Sequence, residues 1–248
     1  MPNDNRDMVV VIGATSGIAK SVMRKLVSEN KYNFSLVGRC EKSLNRIKKD
    51  LEIREPSTLI RLFCSDDLSN VDFINSTARE NKSASMVFIC VGMLPNQDQT
   101  QRNLSYLEQS IQINSLIPIL WLEAFAASVD HSNTLTIGIM SSVAADRGRK
   151  SNYCYGAAKS LLDTYVQGMQ HRFYKTNKKL VLIKPGPTKS PMTQHISADK
   201  LADPDKVAED ILKAMHRKKP VVYTPKKWWL IMRIIKMLPR QIFNRINI

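Results

Sequence analysis

Cysteine is scarce in this chain of 248 residues, and long apolar runs are missing from it. The four cysteines lie far apart, without the close spacing of a metal site or the density of a disulfide-bonded secreted domain. The four histidines show no metal-ligand spacing either, so we expect no metal and a reduced, cytoplasmic environment. No uninterrupted apolar run approaches the length that crosses a bilayer, about 20 residues, and the polar start (MPNDNRD) does not resemble a secretion signal.

Aromatic residues contribute only 7% of the chain, whereas apolar residues contribute 43% and charged residues 24%. These proportions are typical of a globular protein and argue against a fibrous or disordered one. The length suits one large α/β domain with a sizeable core. We expect that domain over residues 1–225, followed by a basic, amphipathic extension over residues 226–248.

Acidic residues are absent after Asp210, although ten lysines and arginines follow it. The whole chain carries a net charge of +15, so most of its excess positive charge lies at this end. Such an end favours an anionic partner, such as a phosphate group or an acidic membrane surface. We expect no nucleic acid, because no nucleic-acid-binding module is recognised and bulky aliphatic residues separate the cations.

Short β-branched runs alternate with helical patterns along the chain. The predicted strands are Met8–Ile12, Asn33–Gly38, Leu59–Cys64, Ser85–Val91, Thr134–Met140, Leu180–Ile183 and Val221–Thr224. The clearest helical patterns are Leu107–Val129, Tyr155–Tyr174 and Pro204–Lys218. This alternation predicts an α/β protein with a Rossmann-like, doubly wound parallel sheet of about seven strands, whose ligands bind beyond the carboxyl ends of the strands.

A glycine-rich turn follows the first predicted strand. Its sequence GATSGIA allows the backbone to approach a pyrophosphate at the start of a helix, although its spacing differs from the general GxGxxG fingerprint. A tight turn without a ligand is the alternative interpretation. The predicted contacts with a dinucleotide are Gly13, Thr15, Ser16, Gly17 and Ile18.

Arg39 follows the second predicted strand, where the ribose of a dinucleotide is bound in such folds. An arginine there favours the 2′-phosphate of NADP, whereas an acid favours the 2′-hydroxyl of NAD. Glu41 lies two residues further on, so NAD stays open as the second choice. We favour NADP(H) over NAD(H), with a solvated surface cation as the alternative role of Arg39.

A set of polar residues predicts proton transfer near the fifth strand. Tyr155 and Lys159 are four residues apart, so they share one helix face. A cation beside a tyrosine lowers its pKa from the ordinary value of about 10, which would prepare Tyr155 as a proton donor. Ser142 would orient the substrate oxygen, and Asn114 would hold a water that relays protons to Lys159. A structural pair on a helix face is the alternative interpretation.

In combination, these motifs resemble the classical short-chain dehydrogenase/reductase family over residues 8 to about 192. The resemblance implies an NAD(P)-dependent oxidoreductase with Asn114, Ser142, Tyr155 and Lys159 as its catalytic set. Further cofactor contacts that it implies are Asp67 and Leu68 at the adenine, the backbone of Cys90, Val91 and Gly92, and Pro185, Gly186 and Thr188 at the nicotinamide, while Tyr155 and Lys159 also hold its ribose. The sequence departs from the family at Ala19, at Cys90-Val91 and at Ser190, and Asp66 is the alternative to Asp67.

Three segments resemble a narrower group, the decaprenylphosphoryl-2-ketoribose reductases of bacterial envelope polysaccharide synthesis. They are the end of the fourth predicted strand, residues 90–94, the basic loop VAADRGRK, residues 143–150, and residues 223–243 at the chain's end. The resemblance implies a keto-sugar linked to a polyprenyl phosphate, a partner oxidase that makes the ketone, and a homodimer or homotetramer. We expect Arg147, Arg149 and Lys150 to bind the substrate phosphate, with a solvated loop as the alternative.

Residues 226–248 combine six cations with paired tryptophans and many aliphatic side chains. This composition suits a helix lying in the interface of an anionic membrane, which would make the enzyme peripheral at the inner face. Packing on its own domain or on a sister subunit is the alternative. Two other functions also stay open: reduction of a soluble ketone or 3-oxoacyl substrate, and a nucleotide sensor without catalysis.

Overall fold

The computed structural model describes residues 6–129, 133–194 and 197–246. Within these residues, seven strands form one sheet: β1 (Asp7–Ile12), β2 (Tyr32–Gly38), β3 (Ile60–Cys64), β4 (Ala84–Ile89), β5 (Leu135–Met140), β6 (Lys178–Pro185) and β7 (Val221–Thr224). The α-helices are α1 (Gly17–Val27), α2 (Glu41–Arg54), α3 (Val71–Glu80), α4 (Gln97–Arg102), α5 (Leu104–Ile111), α6 (Ile117–Ser128), α7 (Tyr153–Arg172), α8 (Pro204–His216), α9 (Lys227–Met237) and α10 (Arg240–Phe243).

All neighbouring strands are parallel, in the order β3-β2-β1-β4-β5-β6-β7. The order reverses between β1 and β4, which is where a doubly wound sheet opens a crevice at its carboxyl edge. The central strands are continuous apolar runs because helices cover both faces of the sheet. The predicted fold class is therefore confirmed.

Two apolar cores lie on opposite faces of the sheet. One joins α1, α2 and α8 to the sheet, and the other joins α3, α6 and α7. In the second core, Trp121 is fully buried and meets Phe73 edge-on and Phe125 nearly face to face. These cores fix the strand ends, and the strand ends carry the side chains predicted to be functional.

The prediction of a single long helix from Leu107 to Val129 is wrong in detail. Residues Leu104–Ser128 form α5, a wider π-helical turn at Gln112–Leu116, and then α6. Pro118 has no N–H with which to reach the Asn114 carbonyl four residues earlier, which accounts for the change of winding. By length and composition this stretch could cross a membrane, but 56% of its most apolar window is buried inside the protein, as expected of a core helix.

The end of the chain packs against the domain. Met232 and Ile235 of α9 are buried against Val143, which follows β5, and Trp228 and Phe243 join this small cluster. Pro239 separates α9 from α10, because proline cannot continue the hydrogen bonding of a helix. The last two residues of the predicted extension lie outside the described residues.

Candidate active site

The turn between β1 and α1 leaves room for a negatively charged group. Gly13 has a φ of 78°, and a Cβ atom there would lie 2.7 Å from the Cys90 carbonyl oxygen, so only glycine fits. Helix α1 begins at Gly17 with neither a side-chain cap nor an acid in its first turn. Uncapped N–H groups and the positive end of the helix dipole suit the pyrophosphate of a dinucleotide.

Neighbouring segments complete this cradle. Thr15 is exposed and Ile18 is half-buried at the mouth of the turn, while the Cys90 thiol donates a hydrogen bond to Ser16 Oγ at 3.1 Å. A Cβ atom at Gly17 would lie 3.6 Å from the Cβ of Ser190, which belongs to the segment after β6. The backbone at Cys90 and Val91 is buried beside β1, where Cys90 N–H donates to Ile12 O at 2.8 Å.

The opposite end of the crevice is open. Arg39 is exposed just beyond β2, and Asp66 is exposed just beyond β3. The Asp67 carboxylate accepts hydrogen bonds from the Ser69 N–H at 2.8 Å and the Ser69 hydroxyl at 2.5 Å, and these bonds lower its pKa. Leu68 is buried, and its carbonyl accepts the Trp121 indole N–H at 2.9 Å.

Tyr155 and Lys159 lie on one face of α7, as their spacing predicted. The Lys159 ammonium is 5.9 Å from the centre of the Tyr155 ring and donates a hydrogen bond to the Met140 carbonyl at 3.0 Å. Ser142 begins the turn Val143–Asp146, where its Oγ accepts the Ala144 N–H at 3.1 Å. The Ser142 hydroxyl also faces the Tyr155 hydroxyl.

The lowered pKa expected for Tyr155 is not found in this structure. Burial raises its pKa to about 12, and the interaction with Ser142 opposes that rise only in part. Burial likewise lowers the pKa of Lys159 to about 8, against the opposing influence of Cys90 and Asp163. Desolvation outweighs the cation because the Lys159 ammonium points at a backbone carbonyl rather than at the phenol oxygen.

Gly92 brings Asn114 and Lys159 together. A Cβ atom at Gly92 would lie 3.1 Å from Asn114 Oδ1 and 3.4 Å from Lys159 Nζ, so these two atoms flank the same point of the backbone. Asn114 Oδ1 accepts the Met93 N–H at 3.0 Å, and its Nδ2 donates to the Ser110 carbonyl at 2.9 Å. The side chain thus holds the loop after β4, and the predicted water relay stays a prediction.

The segment after β6 forms the remaining wall. The Gly186 N–H donates to Thr224 O at 2.9 Å, and the buried Thr188 hydroxyl donates to Gly186 O at the same distance. The Trp228 indole packs directly on Gly186, where it leaves no room for a Cβ atom. Pro185 is buried at the end of β6. Trp228 is a wall residue that sequence reasoning did not single out, because its partner is 42 residues away.

The basic loop contacts the end of the chain, a role that the sequence did not predict. Arg147 donates to the carbonyls of Ile235 and, at 2.7 Å, Leu238 at the end of α9, and its guanidinium stacks 3.9 Å from the centre of the Phe243 ring. Arg149 is partly buried against Met232 Sδ. Arg147 is thus engaged with the end of the chain, whereas the buried Arg149 Nε has no hydrogen-bond partner among the described residues and Lys150 is exposed. Binding of a substrate phosphate by this loop stays a prediction.

A buried ionic cluster, which no sequence motif predicted, lies beneath the catalytic residues. Lys184 Nζ lies 2.5 Å from Asp146 Oδ1 and 2.5 Å from Asp163 Oδ2. One signal was present, since Asp163 follows Lys159 by four residues and therefore lies on the same helix face. In the described part of the chain, no three His, Cys, Asp or Glu side chains cluster as a metal site requires.

A family model described as short chain dehydrogenase matches residues 7–201. The chain belongs to this family. Like other members, it is an NAD(P)-dependent oxidoreductase. An uncharacterized oxidoreductase of Streptomyces coelicolor is 22% identical over 96% of this chain and 95% of its own length. An uncharacterized oxidoreductase of Mycobacterium tuberculosis is 25% identical over 75% of each chain.

Solved structures share the fold at low sequence identity. A short-chain dehydrogenase from Burkholderia cenocepacia, in complex with NADP, superposes with a TM-score of 0.82 and 16% identity over 97% of each chain. A short-chain dehydrogenase from Sphingobium yanoikuyae, in complex with NADPH, superposes with a TM-score of 0.81 and 17% identity over 94% of this chain and 97% of its own.

Proposed function

We propose that this enzyme uses NADPH to reduce a carbonyl group on a keto-sugar linked to a polyprenyl phosphate. The observation that carries the reductase assignment is the convergence of Ser142, Tyr155 and Lys159 beside the uncapped start of α1. The proposal of a lipid-linked substrate is based on the end of the chain, which joins the catalytic wall to an exposed basic and apolar surface.

The bound dinucleotide supplies a hydride for the carbonyl carbon. Tyr155 donates its hydroxyl proton to the carbonyl oxygen, and its raised pKa keeps that proton in place throughout the neutral range. Ser142, which faces the phenol, orients the same oxygen by a hydrogen bond. Lys159, which donates to the Met140 carbonyl in this structure, would also hold the ribose of the cofactor, and its positive charge would stabilise the phenolate as the proton leaves.

NADP(H) is the proposed cofactor. The exposed Arg39 guanidinium stands beyond β2, where the ribose 2′-position is bound in doubly wound folds, and it can pair with a phosphate in two parallel hydrogen bonds. The related structures that carry NADP or NADPH support the same choice. Gly13, Gly17 and the backbone at Cys90 and Gly92 would hold the rest of the dinucleotide.

The outer face of α9 is the proposed membrane contact. Trp229, Leu230 and Ile234 are each more than half exposed, Met237 is 76% exposed, and the six cations of residues 226–246 are exposed with them. The Arg233 guanidinium lies 5.3 Å from the Trp229 ring. Apolar side chains between cations suit the interface of an anionic bilayer, to which each cation near the surface adds roughly 1 kcal/mol.

The inner face of the same helix makes the membrane contact relevant to the substrate. Trp228 packs on Gly186 at the predicted nicotinamide wall, so one helix borders both the reacting carbonyl and the lipid surface. A substrate whose sugar must reach the enzyme while its polyprenyl tail stays in the bilayer would enter along this helix. The enzyme would work at the cytoplasmic face, next to an oxidase that supplies the ketone.

A second copy of the chain is the proposed partner on α7. Leu161 and Tyr165 are exposed on this helix and, with Ala157, Ser160 and Thr164, line a shallow hollow. A homodimer or homotetramer would cover it. Sedimentation velocity of wild type and Leu161→Glu tests this, because one charge at the centre of a self-complementary interface should dissociate the oligomer.

The substrate assignment is tested by NADPH oxidation on three compounds. We expect the highest kcat/KM with a polyprenyl-phosphoryl keto-pentose presented in vesicles, and a much lower value with the same keto-pentose phosphate without its lipid. Preference for a soluble ketone or a 3-oxoacyl thioester would replace the substrate and keep the reductase. Absence of NADPH oxidation with all three, together with NADPH binding, would favour a nucleotide sensor.

The membrane contact is tested by flotation with phosphatidylglycerol-containing vesicles. Wild type should float and Arg233→Glu/Lys236→Glu should not, because the charge reversal opposes an anionic surface. Lys206→Glu/Lys213→Glu, on the exposed face of α8, changes the net charge equally and should float like wild type. Equal loss in both double variants would contradict a specific contact through α9.

A further inference from the structure

Lys184 is held between two carboxylates that come from different elements. Its Nζ is 2.5 Å from Asp146, at the end of the turn after β5, and 2.5 Å from Asp163, on α7. At most 8% of any of these three side chains is exposed. Lys184 itself lies on β6, immediately before the Pro185-Gly186 wall.

The polar atoms around this cluster are satisfied. The Ser141 hydroxyl donates to Asp163, and the Tyr223 hydroxyl donates to Asp146 Oδ2 at 2.8 Å. Burial works against the charge on Lys184, but the carboxylates outweigh it and hold the pKa of Lys184 above its usual value. Desolvation raises the pKa of Asp163 in spite of Lys184. The charge on each group of the cluster therefore depends strongly on the charges of the others.

Burying a cluster of this kind costs desolvation free energy, and packed apolar residues of similar volume often give equal or better stability. A fully satisfied polar network does, however, restrict the relative placement of the elements that it joins. Here it joins the turn after β5, α7, β6 and β7. The turn and α7 carry proposed catalytic residues, and β6 ends at the predicted nicotinamide wall.

The connections to that machinery are short. Ser141 is adjacent to Ser142, and Asp146 ends the turn that Ser142 begins. Asp163 lies one helical turn after Lys159 on the same face of α7. The titratable groups that face Lys159 are Tyr155 and Asp163 on its own helix and Cys90 after β4, so Asp163 is the carboxylate that influences its charge.

We propose that Lys184 and Asp163 are positioning residues that hold Ser142 in register with Tyr155 and Lys159 and set the electrostatic field around the Lys159 ammonium. This inference rests on the proposed carbonyl reduction. In this proposal, neither Lys184 nor Asp163 contacts the substrate or the cofactor. Lys184 ties the Ser142 turn to the catalytic helix, and Asp163 provides the negative charge that favours an ammonium at Lys159.

The electrostatic effect of Asp163 and Lys184 on Lys159 is tested by NMR titration of the Lys159 ε-amino group in the whole chain. The signal is assigned by comparison with Lys159→Arg. Wild type should titrate near pH 8. Asp163→Asn should lower the midpoint, because it removes the facing carboxylate and leaves the Lys184 charge. Lys184→Met should shift it less than Asp163→Asn does, because two neighbouring buried carboxylates without a cation share one proton and the cluster keeps the same net charge. An unchanged midpoint in Asp163→Asn would overturn the proposal, and this readout does not depend on finding the substrate.

The relative placement of Ser142, Tyr155 and Lys159 is tested by kcat for NADPH-dependent ketone reduction. Lys184→Met should reduce kcat at least tenfold while KM for NADPH changes less than threefold, and Lys184→Arg should recover part of the loss. The neutral triple variant Asp146→Asn/Asp163→Asn/Lys184→Met avoids unpaired buried charges, so it should fold even where single variants do not. Wild-type kcat and pH profile in the triple variant would show a purely structural cluster and overturn the proposal.

A surface ion pair provides the matched control. Lys25 and Glu209 pair at 2.8 Å between α1 and α8, with most of the glutamate exposed. Lys25→Met removes the same charge as Lys184→Met and should leave kcat and the Lys159 midpoint unchanged. If wild type itself reduces no ketone, the function proposed above fails, while a lowered midpoint in Asp163→Asn would still support the effect of Asp163 on Lys159.

Discussion

The two ends of the dinucleotide crevice differ in how their polar groups are held. At the catalytic end, Lys159 and Lys184 are buried and each already has oxygen partners within the protein. At the adenosine end, Arg39 and Asp66 stand exposed beyond the strands. Substitutions at the catalytic end therefore disturb desolvated, mutually dependent groups, whereas those at the adenosine end change one solvated contact each.

The largest effect that this comparison predicts is at Tyr155. Tyr155→Phe removes the proposed proton donor and leaves the ring, so kcat should fall about a thousandfold. NADPH affinity, measured by nucleotide fluorescence, should change little, because the cradle at Gly13 and Gly17 is untouched. Ketone reduction at the wild-type rate would contradict the assignment of Tyr155.

The second prediction concerns the free energy of unfolding at Lys159. Its folded-state pKa of about 8 lies below the ordinary value of 10.5, so the folded protein destabilises the ammonium. Wild type therefore gains stability as the pH rises from about 8 to about 10.5, by about 3 kcal/mol at most. Lys159→Met lacks this dependence and should be more stable than wild type near pH 7, with a difference that shrinks toward pH 10.5.

Urea unfolding of both proteins at pH 7, 9 and 10.5 measures this difference, in which the other titrating groups largely cancel. Lys213→Met, at an exposed position on α8, is the matched control and should show no such trend. A stability difference that stays constant with pH would mean that Lys159 is not desolvated as the structure has it.

The third prediction separates two roles of the basic loop. Arg147→Ala removes hydrogen bonds to the carbonyls at the end of α9 and a cation–π contact with Phe243, so the free energy of unfolding should fall by about 2 kcal/mol. Limited trypsin digestion should then cut residues 226–240 faster. KM should change equally for phosphorylated and neutral ketones. A KM effect confined to the phosphorylated ketone would instead support the predicted phosphate-binding role of Arg147.

Lys150→Ala is the control for this loop, since Lys150 is exposed and its side chain does not hold α9. It should leave stability and digestion unchanged. An effect of Lys150→Ala on the phosphorylated substrate alone would place the phosphate at Lys150, which is the exposed member of the predicted trio.

How far the sequence could predict the molecule depends on the range of the contacts involved. The Gly13–Gly17 turn and the Tyr155–Lys159 spacing are local patterns, and both lie where they were expected. The contact of Arg147 with the Ile235 carbonyl spans 88 residues, and no local pattern encodes it.

The raised pKa of Tyr155 was missed for a related reason. The spacing of Tyr155 and Lys159 gives the helix face but not the depth of burial, and burial decides the sign of the shift here. The Lys184 cluster likewise needs the packed sheet, because its two carboxylates come from different elements. Strand order and burial are tertiary properties, so these features follow only from the fold.

The smallest predicted effect is at the adenosine end. Arg39→Asp exchanges a cation that can pair with the 2′-phosphate for an acid that can accept the 2′-hydroxyl, so the ratio of kcat/KM for NADPH to that for NADH should fall about tenfold, or roughly 1.4 kcal/mol. Because Arg39 is solvated, stability should not change. Arg61→Asp, at an exposed position on β3, controls for net charge. An unchanged ratio would show that Arg39 does not contact the cofactor, and the contrast between the two ends of the crevice would then rest on backbone contacts alone.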